Sequence, residues 1–271
     1  MKKLAKVLAG ALGATFLATA AHAAGVQFKD PTGDDNGPGN YTYPTDAAYL
    51  RGAFDLTGLS VEESGSNLEI AVSVAATLND PWGMGVGFAT QLVFVFIDTD
   101  GKAGSGNTKG VPGLNVQFAP EDAWEKVVVL SPQKAARVQA EIRNNAADFQ
   151  KDIVVPGRTK GSGKTISASV KKSEIGEGDP ATWKYQVVVQ SNEGFPAKGD
   201  LLSRRVNEFE GQHRFGGGND GMCDPHVMDI LAGSGAGAAD EVAAQHKAVG
   251  GFECGDEGES KKLATLPMVK K

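Results

Sequence analysis

Acidic side chains crowd two short glycine-rich stretches of this sequence, and the chemistry they offer is coordination of a hard cation. The first stretch, residues 30–45, reads DPTGDDNGPGNYTYPT. It gathers Asp30, Asp34, Asp35 and Asn36 between prolines that fix φ and glycines that open tight backbone paths. The second, FIDTDG at residues 96–101, places Asp98 and Asp100 at the end of an apolar run, ahead of a Gly- and Ser-rich loop over residues 101–113. Carboxylates this close repel one another unless solvent, backbone donors or a cation intervene, and calcium gathers about 6–8 oxygens. Neither stretch has EF-hand spacing. A solvated turn is the plain reading of the first stretch. With the second as a partner in space, the expectation is one calcium site built from Asp30, Asp34, Asp35, Asp98 and Asp100.

Aromatic side chains offer a second chemistry. In NDPWGMGVG, residues 79–87, a proline and three glycines prevent regular structure and keep Trp82 on a loop. Trp82 is therefore the leading platform for stacking against a sugar ring, with Tyr41, Tyr43 and Trp124 as further candidates. The alternative for Trp82 is a loop residue folded back on the core.

Catalytic patterns fail on context. GSGKT at residues 161–165 lacks a phosphate-loop glycine where Arg158 stands, and strand-like alternation follows it. Residues 216–221 match GxGxxG, but Pro225 follows and no helix opens there. His213, His226 and His246 accompany no GxSxG elbow and no Cys-His signature. A protein that is not an enzyme is expected.

These groups need a β framework to hold them. Residues 54–61 and 68–74 read as strands joined by the polar connection EESGSN, and Leu68, Ile70, Val72 and Val74 alternate with smaller or charged residues. QLVFVFI at residues 91–97 is apolar on both faces, as a central strand is. Further strands are expected at 116–118, 126–130, 153–155, 165–170, 183–190 and 263–269. Within 183–190, Trp183, Tyr185, Val187 and Val189 share a core face. Ser131-Pro132 predicts the start of a helix over 132–143, and a second helix is expected over 240–249. Many strands, one or two short helices and no βαβ rhythm indicate an all-β fold, a single antiparallel sandwich.

Residues 1–23 have the three-part pattern of a secretory signal peptide, with Lys2, Lys3 and Lys6, an apolar run and Ala21-His22-Ala23. Cleavage after Ala23 is expected, leaving residues 24–271 as one domain in the periplasm or outside the cell. Removing the three leader lysines takes the formal charge from −6 to −9, which gives no electrostatic footprint for nucleic acid. No retained segment suits membrane insertion. In an oxidising compartment Cys223 and Cys254 read most simply as one disulfide. A metal site using Cys223, His226 and either His213 or Cys254 is the competing reading, and two free thiols a third.

DPTGDDNGPGNYTYPT, GAFDL at 52–56, NDPWG at 79–83, FIDTDG at 96–101, RFGGGNDG at 214–221 and DPHVMDIL at 224–231 together resemble the glucodextranase C-terminal domain, a DOMON-like module. The matches run in order over nearly all of the chain beyond the leader. The resemblance implies a β-sandwich of the kind shared with carbohydrate-binding modules, attached in its relatives to enzymes acting on α-glucans or to cell-surface proteins. It implies a glycan or cell-surface polysaccharide as partner. Against the family pattern, His213 stands where an aromatic is common and His226 where an asparagine is usual. The wider DOMON-like group also resembles haem-binding modules, so an alternative is non-covalent haem b held by Met84, Met222, Met228, His213 or His226 in an electron-transfer accessory. A periplasmic scaffold with a protein partner and no small ligand is a third reading.

Overall fold

Alternating apolar residues build one sheet of this molecule, and continuous apolar runs build the other. The computed structural model describes residues 25–219 and 222–271; the expected leader and the Asp220-Gly221 pair lie outside the described residues. In chain order, β1 (Gly25–Lys29), β2 (Leu56–Ser64) and β3 (Asn67–Val74) lead to β4 (Gln91–Asp98), β5 (Val116–Phe118) and β6 (Lys126–Leu130). Helix α1 (Ala135–Asn145) precedes β7 (Ile153–Val154), β8 (Thr159–Ser162) and β9 (Thr165–Lys171). A single turn, α2 (Lys172–Ile175), then gives way to β10 (Lys184–Ser191) and β11 (Asp229–Ile230). The chain closes with α3 (Glu241–Val249), β12 (Glu253–Cys254), β13 (Ser260–Lys262) and β14 (Ala264–Leu266).

Two five-stranded sheets, β1-β2-β3-β9-β8 and β11-β10-β4-β6-β7, face each other as an all-β sandwich. In β3, Leu68, Ile70, Val72 and Val74 are buried while Glu69 points to solvent, so one face of the first sheet is wet. Every residue of β4 is buried, and the reason is that both of its faces are covered. Val93, Val95 and Ile97 enter the core between the sheets, against Leu59, Ile70 and Ile166. Leu92, Phe94 and Phe96 enter a second core with Trp124, Val138 and Ile142 of α1, Val249 of α3, and Leu266 of β14. The second sheet thus carries an outer layer that strand patterns alone do not foretell. β5 and β14 pair in parallel within that layer.

Local expectations differ from what forms at the start of α1 and at several short strands. Helix α1 starts at Ala135 with Lys134 as an uncapping N-cap residue, because the Ser131 hydroxyl instead accepts the Gln133 N–H at 3.1 Å. β1, β8, β11, β12 and β13 are strands that the sequence reading does not expect, since each is only two to five residues long.

Cys223 and Cys254 are bonded to each other, tying the segment before β11 to β12 across 31 residues, which removes both the thiolate metal site and the free thiols. Closing such a loop stabilises the fold by about 3–4 kcal/mol through the unfolded state. Replacing both cysteines by serine is expected to lower the denaturation midpoint by that free energy in urea, and addition of reductant to the wild type is expected to do the same; no change in either would show that the bridge carries no stability.

Candidate functional site

Three buried carboxylates, Asp30, Asp34 and Asp229, meet where β1, β2 and β11 come together, with a fourth, Asp55, as a charged neighbour. Asp30 follows β1, Asp34 sits in the loop after it, Asp55 precedes β2, and Asp229 opens β11. β1 and β2 pair directly, with Lys29 opposite Gly58, so Asp30 and Asp55 are brought to the same end of the first sheet. β11 pairs with β10 through Asp229 and Val189, which delivers Asp229 from the second sheet. Asp34 and Asp229 are fully buried, and Asp30 and Asp55 nearly so. Oxygens of Asp30, Asp34 and Asp229 all lie within 4.8 Å of one another.

Backbone donors satisfy only part of this charge. Asp229 accepts N–H bonds from Leu56 at 2.6 Å and Ile230 at 2.8 Å, Asp55 one from Gly33 at 2.8 Å, and Asp30 one from Ala232 at 3.3 Å. Both oxygens of Asp34 are left without a partner, as are Oδ2 of Asp30 and Oδ1 of Asp55. Among the described residues no lysine, arginine or histidine forms an ion pair with any of the four. Burial, reinforced by the neighbouring acids, pushes the carboxyl of Asp30 up to about 9, that of Asp34 to about 6 and that of Asp55 to about 7. Asp229 is raised well above the ordinary range for the same reasons. Oxygen-only ligands, clustered and desolvated, fit a hard divalent cation, calcium in particular. Helix α3 is tied to the cluster. The Gln245 amide donates to the Asp34 carbonyl and accepts from the Ile230 N–H at 2.9 Å. Glu241 is fully occupied by donors from residues 234–238.

The five acids expected at one cation fall instead in three places. Asp30 and Asp34 belong to the cluster just described. Asp35 turns away, accepting the Tyr43 hydroxyl. Asp98 pairs in the sheet with Lys184, whereas Asp229 pairs with Val189 five positions along β10, so the two acidic stretches are separated by roughly 17 Å at about 3.3 Å per residue. Asp98, Asp100 and Glu125 form their own group. It is supplied from within: Asp98 accepts the Gly101 N–H at 2.7 Å and faces Lys184 at 3.1 Å, and Asp100 accepts Lys102 N–H and Ser105 Oγ–H, each at 2.9 Å. One shared site is therefore corrected to one buried cluster and one self-satisfied loop. Asp55 and Asp229 went unforeseen. Their signal was an acid between apolar neighbours, Phe54 and Leu56 in the first case and Met228 and Ile230 in the second.

The aromatic candidates also divide. Tyr41, Tyr43 and Trp124 are buried and offer no face to a ligand, which corrects their expected role as platforms. The reason is packing: Tyr43 lies 4.9 Å from the Phe215 ring, and Trp124 lies 5.2 Å from Phe96. Trp82 remains on the surface, 40% exposed. Its loop is held by Asp80, which accepts the N–H groups of Met84 and Gly85 at 2.7 and 2.8 Å. Tyr49 and His213 meet the indole edge-on at 6.0 and 6.1 Å, and the Arg204 guanidinium lies 5.9 Å from its ring centre. Arg204 is itself fixed by Tyr49 Oη and the His213 carbonyl, both at 2.6 Å, and by Glu193 at 3.1 Å. A platform beside fixed planar donors and acceptors is a surface suited to a polyhydroxylated ligand.

The RFGGG run positions this surface. Gly216 exchanges both backbone hydrogen bonds with Thr42, each at 2.9 Å, and a Cβ on Gly217 (φ +89°) would stand 2.2 Å from the Asn40 carbonyl oxygen. Only glycine lets the two loops touch here. The haem candidates are not gathered in one place: His226 and Met228 are buried, His226 accepts the Val206 N–H on Nδ1 at 3.1 Å, His213 packs on Trp82, and Met222 lines a cleft with Arg205 and Phe209. Burial lowers the His226 imidazole to about 3 and keeps it neutral.

No helix among the described residues is long and apolar enough to cross a membrane. No curated protein matches the chain. A family described as the C-terminal binding-module, SLH-like, of glucodextranase matches residues 26–269, from the second residue of β1 to the segment beyond β14. Covering almost the whole described structure, that match places the chain in the family of glucodextranase C-terminal, SLH-like binding modules.

Proposed function

We propose that this protein is an exported, non-catalytic module that binds a glycan on the surface around Trp82 and is locked in its fold by a calcium ion among Asp30, Asp34, Asp55 and Asp229. The observation carrying the glycan reading is an exposed indole bordered by His213 and by an arginine already fixed in place, on a chain whose family is a binding module. The observation carrying the calcium reading is the set of buried carboxylate oxygens with no protein partner. Such oxygens are costly in a bare interior and favourable around a divalent cation. The ion would join residues from both sheets and, through the Asp34 carbonyl and Gln245, α3 as well. Its role in this reading is structural. The glycan surface lies on other loops, so a ligand does not need to touch the ion.

Four outcomes are expected. Trp82→Ala is expected to weaken binding to immobilised dextran about tenfold or more with an unchanged melting temperature, since one well-placed aromatic anchors such contacts; full retention of binding would move the site elsewhere. Calcium at a hundredfold excess over its dissociation constant is expected to add about 2.7 kcal/mol, roughly 5–10 °C in Tm. Asp34→Asn and Asp229→Asn are each expected to abolish that gain, while Asp100→Asn keeps it.

The third outcome concerns pH. Carboxyls whose folded values are raised from 3.8 to about 6, 7 and 9 hold protons that the unfolded chain has released. Stability of the metal-free protein is therefore full below about pH 4 and is lost as pH rises through the folded values. Chelator-treated protein should melt higher at pH 5 than at pH 8, and calcium should reverse that order; a Tm that is flat with pH in chelator would refute the carboxylate account. Mass analysis of the exported protein is expected to show Ala24 as the first residue.

A further inference from the structure

The stretch GSGKT at residues 161–165, which lacks the full phosphate-loop pattern, has another place in the fold. It forms the turn between β8 and β9, where Ser162 stands opposite Thr165. On its other side β9 is paired with β3 over seven residue pairs, so the turn stands on a rigid base. β8 is the edge strand of the first sheet and pairs with β9 alone. An edge strand leaves a row of backbone donors and acceptors open. Here the loop bearing Trp82 takes that place.

Both ends of the loop are tied to the turn. At its entrance the Leu78 N–H donates to the Gly163 carbonyl at 2.7 Å, and at its exit the Val86 carbonyl accepts the Gly161 N–H at 2.6 Å. The Asn79 side-chain amide adds a bond to the Ala48 carbonyl at 3.1 Å, next to Tyr49, whose ring meets the indole. Close packing sets the spacing at the exit. A Cβ on Gly161 would stand 2.8 Å from the Gly87 carbonyl oxygen and 3.1 Å from the Phe88 ring, and a Cβ on Gly87 would stand 2.3 Å from the Gly161 carbonyl oxygen. Phe88 is fully buried in the core, so the partner that yields to a side chain at 161 is the loop. Gly87 has φ +85°, whereas Gly161 is not in the left-handed region, so alanine at 161 disturbs the close approach and not the backbone conformation.

We infer that Gly161 is a positioning residue for the glycan surface: it touches no ligand, and through the backbone of Val86 and Gly87 it sets where Trp82 stands. This rests on the glycan reading above and adds the element that prepares its platform. A loop fixed at both ends before the ligand arrives loses little freedom on binding, and that is how a glycine outside the contact surface raises affinity.

Fluorescence reads the loop directly, because Trp124 and Trp183 are buried and Trp82 is the accessible one of the three tryptophans. Gly161→Ala is expected to change acrylamide quenching of the Trp82 emission and to weaken binding to immobilised dextran about three- to tenfold. Ser162→Ala, on the same turn with its side chain in solvent, is expected to change neither. A measurement on the wild type needs no variant: amide exchange is expected to find the N–H groups of Gly161 and Leu78 protected about as strongly as those of β9, although one lies on an edge strand and the other outside any strand. A folded Gly161→Ala protein in which either quenching or affinity stays at the wild-type value, or rapid exchange at Gly161 and Leu78 in the wild type, would overturn the inference and leave the glycan reading standing. Wild-type protein that binds none of dextran, starch and cellulose would overturn the glycan reading and this inference together.

Discussion

Four carboxylates, contributed by three separate segments of the chain, are buried close together, and among the described residues no positively charged side chain forms an ion pair with them. Repulsion among Asp30, Asp34, Asp55 and Asp229 is the constraint against which the rest of the fold is built. The backbone answers part of it, with amides of Gly33, Leu56, Ile230 and Ala232 aimed at the cluster. The remaining oxygens require either protons or a cation. Protons would leave a set of carboxylic acids that act as poor glue. A divalent ion would make the same residues the point where β1, β2, β11 and α3 are held in register.

That location matters for the ligand surface. The loop bearing Asp34 continues to Asn40 and Thr42, which bond back to back with the glycine run that follows Phe215. Residues before that run carry His213 and Arg214, and the segment just upstream carries Arg204 and Arg205. The acidic cluster and the aromatic surface are thus two ends of one interlocked loop system. Tyr43, Tyr49, Phe54 and Phe215 fill its middle with ring-to-ring contacts of 4.9–6.3 Å. An ordered loop system means that little conformational freedom is lost when a ligand binds.

Much of the framework was legible because it is periodic. β3 shows period-2 alternation and β4 an unbroken apolar run, and each forms where the pattern puts it. The members of the outer layer over the second sheet, α1, α3, β5 and β14, were legible as elements close to where they form, but their assembly into a layer was not, because they are short and far apart in sequence. The site was half legible for a related reason. Dense acids at 30–35 and 98–100 stand out by spacing, yet spacing says nothing about which sheet end each reaches. Register along β10 separates them and pairs the first with Asp229. Asp55 and Asp229 are single acids within apolar segments, a weaker pattern with a clear physical meaning, since a lone carboxylate in a core segment must have a partner. Aromatic content likewise marked Trp82 correctly as a loop residue, but could not tell that Tyr41, Tyr43 and Trp124 would be used up in packing.

The central claim is that the buried cluster exists to hold a cation, and metal content tests it most directly. Protein purified without chelator, dialysed against calcium and then against metal-free buffer, can be assayed for bound metal by elemental analysis. The account predicts one tightly held calcium per chain in the wild type and in Asp100→Asn, and none in Asp229→Asn. Wild-type protein that is fully folded near neutral pH with no bound metal, or an Asp229→Asn protein that retains its calcium, would contradict it.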